Sequence, residues 1–166
     1  MNNLEIVNQI IGFHHKIRDE VRAMGESVTD MEAFFGLRQT YSGWTQSSVE
    51  SLQEKQQKMK ETVAVLGEGL HLHFNQEEKY LPLILGETLT RALHIRHRNI
   101  WEKFELIKAE LDVTLAGKTR DDILAFKTRL QNMMNELAGM IEKHATEEDV
   151  VLGMAKAALE TPEAGT

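Results

Sequence analysis

Apolar residues recur along this chain at steps of three and four, the repeat of a helix with one buried face. Near the start the rhythm runs Leu4, Val7, Ile10, Ile17, Val21 and Met24, with His14 in step, and Gly25 is placed to end that helix. Thr29 and Glu32 have the spacing of a capping box for a shorter helix through Phe34, Phe35 and Leu37. Tyr41-Ser42-Gly43-Trp44 reads as a turn. Ser47 and Glu50 form a second box, opening a long helix to about Leu85, with Pro82 in its last turn and Gly86 at its end. Gly67 and Gly69 weaken its middle by about 1 kcal/mol each relative to alanine, which close contact with another helix would offset. A third long helix is predicted from about Thr88 to Ala116, ended by Gly117. A fourth runs from Thr119 or Arg120 to about Leu159, before Pro162, with a stripe of Ile123, Phe126, Leu130, Met133, Leu137 and Met140 and then His144 in step. Nothing reads as an amphipathic strand. The pattern predicts an all-α fold: an antiparallel up-down four-helix bundle with a short extra helix between the first two long helices. It forms one domain over residues 1–160, followed by a loose tail, 161–166.

Composition narrows the function. A chain of 166 residues suffices for one core. A formal net charge of -7 disfavours nucleic acid and acidic lipid surfaces. There is no cysteine, which excludes disulfides, zinc-thiolate sites and cysteine nucleophiles and fits a reducing compartment. The N-terminus lacks a basic segment followed by an apolar run, and Tyr80 to Leu85, the most apolar stretch, falls far short of the roughly 20 residues that span a bilayer. A cytoplasmic location is expected. A small-molecule site, a metal site or a protein partner remains.

All seven histidines lie in four tight places, one per long helix: His14 and His15, His71 and His73, His94 and His97, and His144. Any one of them alone reads as a partly buried imidazole with no metal; their levels change this. His73 stands about 26 residues above the start of its helix, His97 about 19 before the end of the next, and His144 about 24 into the last, or ~39, ~28 and ~36 Å at 1.5 Å per residue. In an up-down bundle these positions fall toward one end, where the first helix also brings His14. His73 and Glu77, and likewise His144 and Glu148, stand four apart, so each pair projects from one helix face. A ring nitrogen and one carboxylate oxygen can bind one metal while the second oxygen reaches another. His94 and His97, three apart, also share a face. Five histidines and two carboxylates suit iron, manganese or zinc.

The motifs Phe13-His14-His15-Lys16-Ile17-Arg18-Asp19-Glu20-Val21, His73-Phe74-Asn75-Gln76-Glu77-Glu78-Lys79-Tyr80-Leu81-Pro82, the His94 and His97 pair, and Lys143-His144-Ala145-Thr146-Glu147-Glu148-Asp149-Val150-Val151-Leu152 resemble those of the hemerythrin-like, or histidine-histidine-glutamate cation-binding, family. The likeness covers residues from about 4 to 156. It implies two iron ions and a bridging solvent oxygen, with His14, His73, His94, His97 and His144 as terminal ligands and Glu77 and Glu148 as bridges. The pair on the third helix is spaced by three where oxygen-carrying hemerythrins use four, Asp149 is an alternative to Glu148, Gly153 stands where a proline is often found, and Asp30 to Gln46 reads as an insertion. His15, Glu78 and Glu147 read as solvated, His71 as a surface residue or a neighbour of the ligands, and Tyr80 as core. Phe13, Phe74, Ile100, Trp101 and Met140 read as core side chains, some of them able to wall a dry pocket.

Three functions compete. Histidine-rich coordination favours reversible binding of dioxygen or a related small ligand, for carriage, storage or sensing. A carboxylate-bridged di-iron oxidase or peroxidase would use two Glu-x-x-His pairs, and this chain has one, Glu68 to His71. A metal- or oxygen-responsive regulatory module would need a separate protein partner or self-association. A zinc site or an empty bundle is the remaining alternative, and manganese in place of iron is a further one.

Overall fold

The structure, a computed structural model, describes residues 2–17, 19 and 46–161. Among these, all regular structure is helical: α1 over residues 3–17, α2 Gln46–Tyr80, α3 Pro82–Leu111 and α4 Arg120–Glu160. The expected short helix between the first two long ones, the Thr29 and Glu32 box, the Tyr41 to Trp44 turn and the tail 162–166 lie outside the described residues. So do the side chains of Ser47 and Glu50; α2 itself begins at Gln46, one residue ahead of the expected cap.

The boundary between α2 and α3 differs from the expected one. Pro82 has no N–H to continue the ladder, so the helix is formally broken at Leu81. Leu81 nevertheless keeps helical dihedrals, its N–H donates to Glu77 O at 2.8 Å, and Leu85 N–H donates to Leu81 O at 2.8 Å. The true bend is at Gly86, whose φ of 74° a side chain would strain, as the sequence placed it. Thr90 Oγ1 then donates to Gly86 O at 2.9 Å on the far side of the bend.

Helix α3 stops at Leu111 rather than Ala116. The side-chain amide of Gln56 donates to Leu111 O at 2.7 Å and to Val113 O at 2.8 Å, occupying carbonyls that a longer helix would have used internally. Gly117, at φ 72°, turns the connection. Thr119 caps α4 by accepting from Asp122 N–H, and the Asp122 carboxylate accepts the Thr119 N–H in return.

Side chains pair across neighbouring helices. Residues early in α2 meet late α3 (Gln56 with Leu111, Lys60 with Asp112), whereas Glu78 meets His97. On the other side of α3, Arg96 pairs with Glu147, Lys103 with Glu136 and Glu110 with Arg129. At Gly67 the Phe104 ring of α3 packs against the backbone of α2: a Cβ there would lie 2.7 Å from Phe104 Cε1 and closer still to Cζ. The buried stripe of α4 runs Ile123, Phe126, Leu130, Met134, Leu137, Ile141 and His144. Met134 and Ile141 therefore take the places expected for Met133 and Met140, which are half-buried beside them.

The core has two apolar parts. The larger holds Leu66, Leu70, Phe104, Ile107, Phe126 and Leu130 with Ile17 of α1. The smaller holds Ile6, Val7, Ile10, Leu81 and Leu152. Along every helix the buried histidines fall between these two parts: His14 between Ile10 and Ile17, His73 between Leu70 and Leu81, His144 between Ile141 and Leu152. No helix among the described residues is long and apolar enough to cross a membrane.

Candidate metal centre

Six side chains build this intervening layer. His14, His73, Glu77, His97, His144 and Glu148 are each at most 3% exposed, and both carboxylates are fully buried. The four-residue spacing on α2 and α4 does what a helix requires of it. His73 Nε2 lies 2.6 Å from Glu77 Oε1, and His144 Nε2 lies 3.4 Å from Glu148 Oε2.

Glu77 sits at the centre and divides the imidazoles. Its Oε1 faces His73, and His14 Nε2 at 3.3 Å; its Oε2 faces His97 Nε2 at 2.9 Å and His144 Nε2 at 3.9 Å. Glu148 Oε2 lies 3.2 Å from His14 Nε2 as well as beside His144. The ring centroids fall into the same pairs, 4.8 Å between His14 and His73 and 4.8 Å between His97 and His144.

The approach of His14 Nε2 to Glu77 Oε1 is a hydrogen bond, but most of the other close approaches are not. His73 Nδ1 and Nε2, Glu77 Oε2, His97 Nε2, both nitrogens of His144 and both oxygens of Glu148 are buried with no hydrogen-bond partner, although several have an opposite group within 3.5 Å. Donor and acceptor are near each other but not aimed at each other, as expected where lone pairs converge on a shared point. Buried polar atoms are rarely left so, and each costs about 1–3 kcal/mol. One ligand atom from each of His14, His73, Glu77, His144 and Glu148 lies within 4.8 Å of all the others, so these residues form a buried cluster able to hold a metal ion. Two carboxylates and neutral imidazoles are a donor set for a borderline or hard divalent ion.

Protonation in the metal-free layer is uneven. Burial opposes a charged His14, but Glu148, Glu77 and Asp149 outweigh it and raise its pKa from 6.5 to about 10. Burial opposes a charged His97 too, and Glu77 and Glu78 outweigh it, so that ring also titrates above its usual range. His144 is lowered to about 3, by burial first and then by the imidazoles around it. Burial would raise Glu77, but His14, His73 and His97 hold it well below the usual carboxylate range. Glu148 is raised to about 7, by burial and by the charge on Glu77 beside it. One carboxylate stays anionic while the other takes up a proton near neutrality, the usual outcome for two acids sharing a dry site.

Of the seven residues singled out in the sequence, the structure brings six together and leaves one apart. His94 is exposed, its ring centroid 6.2 Å from that of His97. The two stand three positions apart, so both lie on one flank of α3, but His97 points into the layer and His94 does not. Glu148 is the fully buried acid, whereas Asp149 reaches a different nitrogen, Nδ1 of His14, at 2.7 Å. His15 is exposed, and so is His71, its ring 5.9 Å from Trp101.

Comparison with protein-family models, with curated proteins and with solved structures gives no match. The layer must therefore be read from its own chemistry.

Glu78 was the contact that sequence reasoning missed. Expected to be solvated, it is exposed but lies with Oε1 3.3 Å from His97 Nδ1. The signal was present in the doubled acids Glu77-Glu78 and Glu148-Asp149, each four and five residues after a histidine. Phe74 stacks on His97 at 4.0 Å and 9°, and with Ile17, Leu70, Ile100 and Ile141 it walls a cavity of about 10 Å3 beside His14, His73 and His144. That volume is about one water-sized sphere. Phe13 approaches His73, with ring centroids 5.8 Å apart, while Trp101 packs on Phe104 away from the cavity.

Proposed function

We propose that this chain is a hemerythrin-like protein, an antiparallel up-down bundle holding two iron ions that reversibly bind dioxygen or a related small ligand. The observation that carries the reading is Glu77, whose two oxygens each face a separate pair of imidazoles, at a place where eight buried polar atoms lack partners. Falling residue numbers on one helix opposite rising numbers on the next, as in Arg96 with Glu147 and Glu110 with Arg129, support the antiparallel order.

In this reading His14, His73, His97 and His144 would hold the ions, with Glu77 and Glu148 as the carboxylates shared among them. Iron held there would supply the electrons that binding a diatomic ligand needs. The chain's own part is to position and to exclude. Phe74 keeps the His97 plane fixed by stacking on it, and the apolar walls of the small cavity leave room for little beyond a diatomic molecule. Among the described residues, no acid or base outside the ligand set lines that cavity, which favours binding over bond cleavage.

The oxidase or peroxidase alternative draws less support, since Glu68 and His71, the one Glu-x-x-His pair, are both exposed. The test is to load the protein with ferrous iron without air and follow its absorption as air is admitted and withdrawn. Reversible binding gives a visible charge-transfer band that bleaches when oxygen is removed. Immediate irreversible oxidation, or rapid consumption of peroxide with an added reductant, would favour the enzyme instead.

A further inference from the structure

The two acid-bearing helices each carry a second carboxylate, one residue and about 100° past the first. Glu77 and Glu148 turn into the layer; Glu78 and Asp149 leave it at the seams between helices, with side chains 42% and 28% exposed. Each seam acid reaches an imidazole on a neighbouring helix. Asp149 Oδ1 of α4 accepts the Nδ1–H of His14 on α1 at 2.7 Å, and Glu78 Oε1 of α2 accepts the Nδ1–H of His97 on α3 at 3.3 Å. The rings so held are those whose own helices offer no acid four residues on, where Arg18 and Trp101 stand.

We propose that Glu78 and Asp149 are positioning residues of the metal centre, each fixing one imidazole through Nδ1 so that its Nε2 is directed to the ions. The inference rests on the metal-centre reading above. Stability alone is a weak reason for the arrangement, because a partly solvated carboxylate gains little from such a pair. Orientation is a stronger one. An imidazole can rotate to present either nitrogen, and a carboxylate on Nδ1–H removes that freedom, selects the tautomer with a lone pair on Nε2 and makes that lone pair more basic. Groups that support ligands in this way change metal affinity by roughly 10–100-fold when removed.

The test uses the full chain with zinc as the metal, because zinc is diamagnetic. Zinc affinity is measured by competition with a chromophoric chelator, and the Nδ1–H protons of His14 and His97 are followed by nuclear magnetic resonance. Asp149→Ala should remove the His14 resonance and leave that of His97; Glu78→Ala should do the reverse. Each should weaken zinc binding about 10–100-fold. Asp149→Asn and Glu78→Gln should restore most of the affinity, because an amide oxygen still accepts the bond. Glu147→Gln, which alters a neighbouring exposed acid paired with Arg96, should bind as the wild type does. Unchanged affinity and both resonances in the alanine variants would overturn the positioning role while leaving the centre intact, as would an equal loss in Glu147→Gln. A wild-type chain that takes up no zinc would remove the centre itself.

Discussion

Two levels of this bundle are equally dry and differently closed. Leu66, Ile107 and Leu130, at 0% exposure, pack in one apolar cluster, and Gly67 lets Phe104 press against the backbone of α2. Around Glu77 and Glu148, also at 0%, the same helices and the same three-four rhythm deliver imidazoles and carboxylates instead. The first level is complete as it stands. The second leaves eight polar atoms unpartnered, and at about 1–3 kcal/mol apiece these rival the whole net stability of about 5–15 kcal/mol expected of a domain. Burial is therefore neutral about purpose: one layer is closed by packing, and the other buries unpartnered polar atoms in a cluster able to hold a metal ion.

Substitution should separate the two levels. Leu130→Ala opens a cavity in the dry layer and should cost about 2–5 kcal/mol, with metal uptake unchanged, as read by denaturant unfolding with and without metal. His144→Leu should do the opposite. In the metal-free chain it replaces two unpartnered ring nitrogens with a packed side chain, so stability should hold or rise by up to about 2 kcal/mol, while metal uptake is lost. A fall of 3 kcal/mol or more in the metal-free chain would contradict the comparison.

Metal removal tests the polar layer without mutation. At a free concentration one hundred times its dissociation constant, an ion that binds only the folded state adds about 2.7 kcal/mol, or about 5–10 °C in melting temperature for a chain of this size. Chelation should lower the melting temperature by that amount and leave the helix content largely intact. Identical melting curves would place the bound metal outside this layer.

Acid should weaken the site. The raised pKa of His14 means that it is protonated at neutral pH in the metal-free chain, so metal must displace a proton to reach Nε2. Affinity should fall about tenfold per pH unit for each proton displaced, as titrations at pH 6, 7 and 8 would measure. An affinity independent of pH would mean that His14 is not a ligand. The smallest effects belong to His15, His71 and His94, all exposed; alanine at each should shift stability by no more than about 0.5 kcal/mol and leave metal content unchanged.

Much of this was legible before the coordinates. Helix period set which face of α2 and α4 turned inward, and level-matching brought His14, His73, His97 and His144 to one height. What the sequence could not resolve was angular. Met133 and Met134 differ by one residue, and a run with apolar side chains at both positions does not say which faces the core. His94 and His97 share a flank at spacing three, but only the seating of α3 against α2 and α4 decides which of them enters the layer. The end of α3 depended on Gln56, more than 50 residues away in sequence, whose amide takes the carbonyls of Leu111 and Val113. Glu78 reads as solvated in the sequence and is exposed; that an exposed acid still reaches a buried ring is a fact of tertiary placement.

Metal content after anaerobic loading with ferrous iron and removal of excess ion tests the central claim most directly. Two irons per chain, falling below one when Glu77 is changed to alanine, is the result expected of a carboxylate that spans two pairs of imidazoles. One iron or none in the wild-type chain would contradict it.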